Sequence, residues 1–327
     1  MSCRYCESKT ISLLDLGYSP PSNQYISNTI DIEHYYPLVL SSCINCGLLQ
    51  TTANLDSDLL FDDDYSYFSS YSSTWISHCE KLVEEINKNF KSDNVVEVAS
   101  NDGYLLEILK NNNINSYGIE PTKSTAAVAI KKGLDVINDF LTLGLAKKLL
   151  KERGAVDVLI ANNVLAHVPD LKDFIKSIYT LLNTNGVAII EFPYAKNLVD
   201  ENQFDTIYHE HYSYFTLSTL KFIFNENKLE IFDVMNINTH GGSLRIYVKK
   251  VTNNLSISNR VSEMLKYEGL LKINSADYFL ELQKTAFDAK IKLLNFLLNC
   301  KLNNKKVIGY GAAAKGNTML NYCGIKK

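Results

Sequence analysis

The sequence predicts an α/β protein of the Rossmann-like, doubly wound kind, with a metal-binding module before the central sheet and a truncated C-terminal α/β segment after it. Three observations carry that prediction. Val95-Val96-Glu97-Val98 reads as a buried strand that runs into the tight turn Ala99-Ser100-Asn101-Asp102-Gly103, and Tyr104 to Leu109 opens a helix. Strand-like and helical runs then alternate as far as Phe192. Two CxxC pairs, Cys3-x-x-Cys6 and Cys43-x-x-Cys46, precede them. The boundaries drawn from this are a zinc-binding module over 1–70, a central domain over 71–252, and a helical linker with an incomplete α/β domain over 253–327.

Composition narrows the class further. A chain of 327 residues has room for two or three cores. A formal charge of −3 gives no general attraction for nucleic acid or anionic membrane. No apolar run approaches the roughly 20 residues that span a bilayer, and Met1-Ser2-Cys3-Arg4-Tyr5-Cys6 lacks the apolar core of a signal peptide. The expectation is a cytoplasmic enzyme with neither nucleic acid nor membrane as partner. Seven cysteines in that reducing setting read as ligands or buried thiols, not disulfides.

In the N-terminal module each CxxC places two thiolates on one turn, and two such turns complete a tetrahedral S4 site. Cys3, Cys6, Cys43 and Cys46 are therefore expected to hold zinc rather than to form a redox pair. Four thiolates leave no open coordination position, so this metal folds the module and does not catalyse. A DNA-binding finger is disfavoured, because no Lys or Arg stands between Cys46 and Lys81 and five aspartates lie between Asp56 and Asp64. The path between the knuckles, with Leu16-Gly17, Pro20-Pro21-Ser22-Asn23 and Tyr36-Pro37-Leu38, reads as turn-rich. Tyr65 to Thr74 is rich in hydroxyls: either a polar loop ending in Thr74 as a helix N-cap, or a lid whose tyrosines and serines line a pocket. Trp75, Ile76, Cys79, Leu82, Val83, Ile86 and Phe90 recur at helical spacing and mark a core-facing stripe.

The central domain continues with a strand from Ser116 to Ile119 that ends at Glu120 and Pro121. Helices are predicted over Lys123–Lys132, Leu143–Glu152 and Leu171–Leu182, and strands over Leu134–Ile137, Val156–Ala161 and Val187–Phe192. Glu230 to Asn236 and Ser243 to Lys250 then form a hairpin. Five alternating units closed by a hairpin is the order of a class I methyltransferase; a dehydrogenase would show the GxGxxG turn, whereas this first turn has one glycine. An acid at the second strand's tip, Glu120, suits the paired hydroxyls of a ribose. S-adenosylmethionine also presents an ammonium and a carboxylate, for which Asn101, Asp102 and the backbone of Glu97, Ala99, Ser100 and Gly103 are suitable partners. Asp139 stands where it can accept from an adenine amino group, and Asn162 and Asn163 end the fourth strand where ligands sit.

His167 precedes Pro169 in a loop, where a satisfied structural histidine is the plainer reading. The densest ionisable cluster is Tyr208-His209-Glu210-His211-Tyr212, just before a helix capped by Thr216. His-x-His lacks the spacing of helical zinc motifs. A structural network and acid–base catalysis both remain open: imidazole can take a proton and tyrosine hydroxyls can stabilise an oxyanion.

These motifs, with Gly118-Ile119-Glu120-Pro121, Asp205-Thr206-Ile207-Tyr208-His209-Glu210-His211, His240-Gly241-Gly242-Ser243-Leu244-Arg245 and Gly309-Tyr310-Gly311-Ala312-Ala313-Ala314-Lys315-Gly316-Asn317-Thr318, resemble the zinc-containing sugar C-methyltransferases from end to end. The resemblance implies methyl transfer from S-adenosylmethionine to a carbon beside the ketone of a nucleotide-linked 4-keto-deoxysugar, typically a dTDP sugar. It implies His211 as the base, Tyr208 and Glu210 orienting it, and Tyr67 and His167 approaching the substrate. It also implies a C-terminal α/β domain that here is represented by a strand from Lys306 to Tyr310 and a Gly-rich loop only. The competing expectations are O- or N-methylation of a sugar or other small molecule, and a truncated cofactor-binding protein without turnover.

Overall fold

The computed structural model describes residues 2–23, 32–52, 55, 60, 68–238, 241–311 and 314–325. At the N-terminus β1 (Thr10–Ser19), β2 (Tyr36–Cys43) and β3 (Leu49–Thr51) pair antiparallel. The described part of the path between the knuckles, expected as turns, is thus largely sheet. A register shift between Ser12 and Leu14 lets the adjacent Leu13 and Leu14 both be buried, which breaks the strict alternation by which a strand is usually recognised.

The central sheet begins with β4 (Val95–Val98), β5 (Ser116–Ile119), β6 (Val136–Ile137), β7 (Val156–Asn162) and β8 (Leu182–Pro193), all parallel. The chain then forms the short β9 (Ser213–Tyr214) and the hairpin of β10 (Leu229–Ile237) and β11 (Ser243–Lys250). The order across the sheet is β10-β11-β8-β7-β4-β5-β6, with β11 antiparallel to β8. Parallel strands are covered on both faces, so they need apolar residues at every position. Val96, Leu159, Ala161, Ala188 and Ile190 go to one core with helices Leu143–Arg153, Leu171–Leu181 and Leu217–Glu226. Val95, Val158, Ile160, Val187 and Ile189 go to the other, with helices Ser73–Asn89 and Tyr104–Asn111. The first of these helices is capped by Ser72, whose side chain accepts from Trp75 N, and not by Thr74 as expected.

β9 does not join the central sheet. It pairs with β3 and makes the fourth strand of the N-terminal sheet. The loop that carries the Tyr208–His211 cluster is therefore tied to the cysteine module.

Beyond β11, helix Asn259–Leu271 packs on β10 and buries Glu268, whose carboxylate accepts from Tyr194 Oη (2.8 Å) and from the first amides of helix Leu217–Glu226, Leu217 N (2.8 Å) and Ser218 N (2.7 Å). Helix Leu282–Leu302 buries only Leu282 and Ala286. Lys306–Tyr310, expected as a strand, is exposed coil with no strand beside it among the described residues, and a lone segment cannot satisfy its backbone groups as sheet. Helix Ala314–Cys323 then returns to the site loop, where Thr318 Oγ1 donates to Ile207 O at 2.9 Å.

Candidate active site

The C-terminal tips of β4, β5, β7 and β8 open onto a cavity of about 800 Å³. This is where a parallel sheet binds ligands, and the size suits a small molecule. The turn after β4 forms one wall. Ala99 (φ 53°), Asn101 (φ 50°) and Gly103 (φ 80°) all take left-handed backbone, and a Cβ on Gly103 would stand 2.3 Å from Leu134 Cδ1. Gly118 on β5 is needed for approach: its Cβ would stand 2.3 Å from Ser100 Oγ. The closeness lets Asn101 N donate to Glu120 Oε2 at 2.7 Å. The other carboxylate oxygen accepts from Thr122 N (2.9 Å) and Thr125 Oγ1 (3.1 Å). Burial raises the Glu120 carboxyl, opposed by these donors.

Of the residues named as candidate cofactor contacts, Ala99, Asn101, Glu120, Pro121, Asp139, Asn162 and Asn163 line the cavity. Asn162 Oδ1 and Nδ2 and Asn163 Oδ1 are buried with no hydrogen-bond partner among the described residues. Buried amide groups left open beside a cavity call for a polar partner, which a ligand or water in the cavity can supply. Glu97, Ser100, Asp102 and Gly103 stand behind the wall instead of in it. Glu97 is fully enclosed, its carboxyl pushed well above the usual range by burial and eased by a hydrogen bond with Tyr104. Asp102 faces Lys132, with Oδ2 and Nζ 3.7 Å apart. These four support the turn; none lines the cavity.

Trp75, which the pattern assigned to the core, and Tyr104, at the start of the helix after the β4 turn, also line the cavity. Trp75 stacks on His78 at 5.0 Å, and His78 Nε2 lies 2.8 Å from Glu191 Oε2 and 2.8 Å from Arg245 Nη2. The Trp75 stripe did face a core; only the strand tips beside it reveal that its end reaches a ligand space.

The second wall is the loop before β9. Tyr208 Oη lies 3.0 Å from His211 Nε2, with ring centroids 4.2 Å apart. The His211 and His167 rings lie 4.7 Å apart, edge to face. His167 Nδ1 bonds to Glu210 O at 2.7 Å. Burial pushes His167 down to about 4, with the Glu210 carbonyl opposing. Burial, then the neighbouring His167, hold His211 well below the usual imidazole range, partly offset by the Thr206 carbonyl. Both rings are therefore neutral at pH 7, and a neutral imidazole can accept a proton. The expected role of Glu210 changes: its carboxylate does not reach His211 but accepts from Asn23 N (3.0 Å) and Asn23 Nδ2 (3.2 Å). His209 points the other way, with Nε2 3.3 Å from Pro37 O. Asn23 and Lys315 also line the cavity, from the N-terminal module and the last helix. Tyr67 lies outside the described residues.

At the cysteine knuckles the four Sγ atoms lie within 4.8 Å of one another. The closest pairs are Cys6–Cys43 at 3.4 Å, Cys6–Cys46 at 3.6 Å and Cys3–Cys46 at 3.7 Å. Tetrahedral zinc at about 2.3 Å from each sulfur requires about 3.8 Å between sulfurs, so the donor set fits. The side-chain hydrogen bond with Cys46 is the main cause that brings the Cys3 thiol down to about 5.

Three family models match this chain: a zinc-binding domain over residues 3–61, a methyltransferase domain over 71–234 and a C-methyltransferase C-terminal domain over 238–327. The C-methyltransferase NovU of Streptomyces niveus is 28% identical over 329 residues, which cover 99% of this chain and 78% of that protein. A SAM-dependent methyltransferase from Archaeoglobus fulgidus is 18% identical, over 54% of this chain and 94% of its own, with a TM-score of 0.41. Magnesium protoporphyrin IX methyltransferase from Synechocystis, solved with SAM bound, is 15% identical, over 61% of this chain and 100% of its own, with a TM-score of 0.42.

Proposed function

The chain belongs to the methyltransferase-domain family and uses S-adenosylmethionine together with zinc, and from that premise we propose that it methylates the carbon beside the ketone of a nucleotide-linked 4-keto-deoxysugar. One observation carries this reading: a neutral imidazole pair and a tyrosine hydroxyl share a cavity with the open amides at the strand tips. A carbon next to a ketone becomes nucleophilic only after it loses a proton. O-methylation would also need a base, but it forms no enolate and has no use for a donor aimed at an enolate oxygen.

S-adenosylmethionine supplies a methyl group on a positively charged sulfur. Glu120 would hold its ribose hydroxyls, Asp139 the adenine amino group, and Asn101, Asn162 and Asn163 the amino-acid end. His211, neutral and fixed by Tyr208, takes the proton from the sugar carbon. The Tyr208 hydroxyl both orients the ring and stands ready to donate toward the enolate oxygen. His167, held at Nδ1 by the Glu210 carbonyl, presents its other ring edge to His211 and to the substrate. The low-dielectric enclosure strengthens each of these bonds, and the remaining contribution is alignment of the two reactants. The cysteine site stays apart from these steps and holds the module that carries the loop.

The test is incubation with labelled S-adenosylmethionine and a panel of dTDP-linked 4-keto-deoxysugars, with NMR assignment of the labelled methyl. A new C–CH₃ bond beside the ketone is expected. A methyl found only on oxygen or nitrogen, or no methylated sugar despite bound cofactor, overturns the reading.

A further inference from the structure

The segment Pro20-Pro21-Ser22-Asn23, which follows β1 out of the zinc module, is buried along its first three residues and reaches the cavity at Asn23. It runs between the site loop and the last helix, where Asn317 Nδ2 lies 3.4 Å from Pro20 O. At its end Asn23 N and Asn23 Nδ2 both donate to one oxygen, Glu210 Oε1. The backbone N–H makes that oxygen an acceptor, so the side-chain atom facing it must be the amino group. The amide is thereby oriented, and Oδ1 is left as an acceptor with no partner among the described residues. Glu210 is also the residue whose carbonyl holds His167 and whose neighbour is His211. Asn23 therefore lines the cavity beside the loop that carries His211.

We propose that Asn23 is a specificity-determining residue contributed by the zinc module, whose Oδ1 accepts a hydrogen bond from a hydroxyl of the substrate close to the reacting carbon. The inference rests on the reading above, that the substrate is a hydroxyl-bearing sugar. A fixed, uncharged acceptor selects for a donor: a substrate hydroxyl satisfies it, while a hydrogen or a carbonyl at that position leaves it unpaired. Neither the module's metal nor its sheet touches the reacting atoms, so this contact gives the N-terminal domain a direct part in substrate choice.

The experiment compares wild type with Asn23→Ala on a ketosugar nucleotide and on its analogue lacking each ring hydroxyl in turn. KM for the full substrate is expected to rise about tenfold in Asn23→Ala with kcat held within about threefold. One deoxy analogue should lose about as much on wild type and nothing further on the variant, because both changes delete the same bond. Zinc content and S-adenosylhomocysteine affinity equal to wild type show that the variant is folded; if it is not, the series of deoxy analogues on wild type decides alone. Losses that add across all analogues, or wild type indifferent to every hydroxyl, overturn the proposal while leaving the methyl transfer intact. A fall in kcat with KM unchanged also overturns it and makes Asn23 only a support for Glu210. If wild type binds and methylates no sugar nucleotide, the functional reading fails first and this inference with it.

Discussion

At Glu120 both carboxylate oxygens already accept backbone or hydroxyl donors, yet the side chain lines the cavity and keeps further lone pairs. Glu120→Gln exchanges a charged acceptor for a neutral one and turns one oxygen into a donor that faces Asn101 N or Thr122 N. The expected result is a 10–100-fold weaker affinity for S-adenosylmethionine, read by calorimetry. His211 presents a different case, because the role proposed for it is proton transfer. His211→Ala should abolish exchange of solvent deuterium into the sugar carbon, by at least about a hundredfold, with cofactor affinity unchanged. Exchange that survives the substitution would move the base elsewhere. The pH profile gives an independent check. His211 must be unprotonated to act, and its pKa is held well below the ordinary 6.5, so kcat/KM should stay level as pH falls through 6.5 and decline only below it. A half-maximum near 6.5 would mean that the imidazole is not buried as found.

Among the elements, β9 links the two sheets. It is two residues long, pairs with β3, and lies just beyond His211, while Thr51 Oγ1 bonds to His211 O at 3.2 Å. The zinc module is thus the scaffold of one wall of the cavity. Cys43→Ser, or prolonged chelation, should cost at least tenfold in methyl transfer and leave cofactor affinity within a few-fold, since Glu120 and the β4 turn hang on the other sheet. Zinc content, calorimetry and turnover measured together decide this; cofactor binding lost in parallel would show one cooperative unit instead. The coupling was not legible in the sequence. Residues 213 and 214 are too few to show a strand period, and their partner lies far back in the chain.

For the whole molecule, a buried ionic feature joins three elements. Arg245 on β11 bonds Glu191 on β8 (3.1 Å) and Glu85 on helix Ser73–Asn89 (3.2 Å), with His78 beside them. Arg245→Ala removes the buried guanidinium that faces both Glu191 and Glu85, and should destabilise the fold by about 3 kcal/mol or more, seen as a lower urea midpoint at unchanged slope. Acid should act through the buried imidazoles. His167 titrates near 4 when folded against an ordinary 6.5, so the unfolded chain binds its proton first. The stability present above pH 6.5 is therefore lost as pH falls toward 4, by about 3 kcal/mol from this group. Denaturation curves at pH 7 and pH 5 would show it, and no difference would mean that His167 is solvated.

How much of this could be read beforehand depends on whether the physics is local. Val95 to Gly103 announces itself because a parallel strand needs an unbroken apolar run and the turn needs small residues at positive φ; Glu120 follows from its place at the next tip. The CxxC pairs carry their geometry within one turn each, and the four sulfurs meet as that spacing implies. The central strands, helices and hairpin were legible for the same reason. What only the tertiary structure decided lies between segments distant in the chain. It set Glu97 and Asp102 behind the wall and Trp75 within it, and it turned Glu210 away from His211 toward Asn23. It also turned the side chains of His209 and His211, two residues apart, toward different partners, Pro37 O and Tyr208. Composition and period carry which residues can be buried; which buried group faces which is settled by packing, where each polar atom must find its partner from anywhere in the chain.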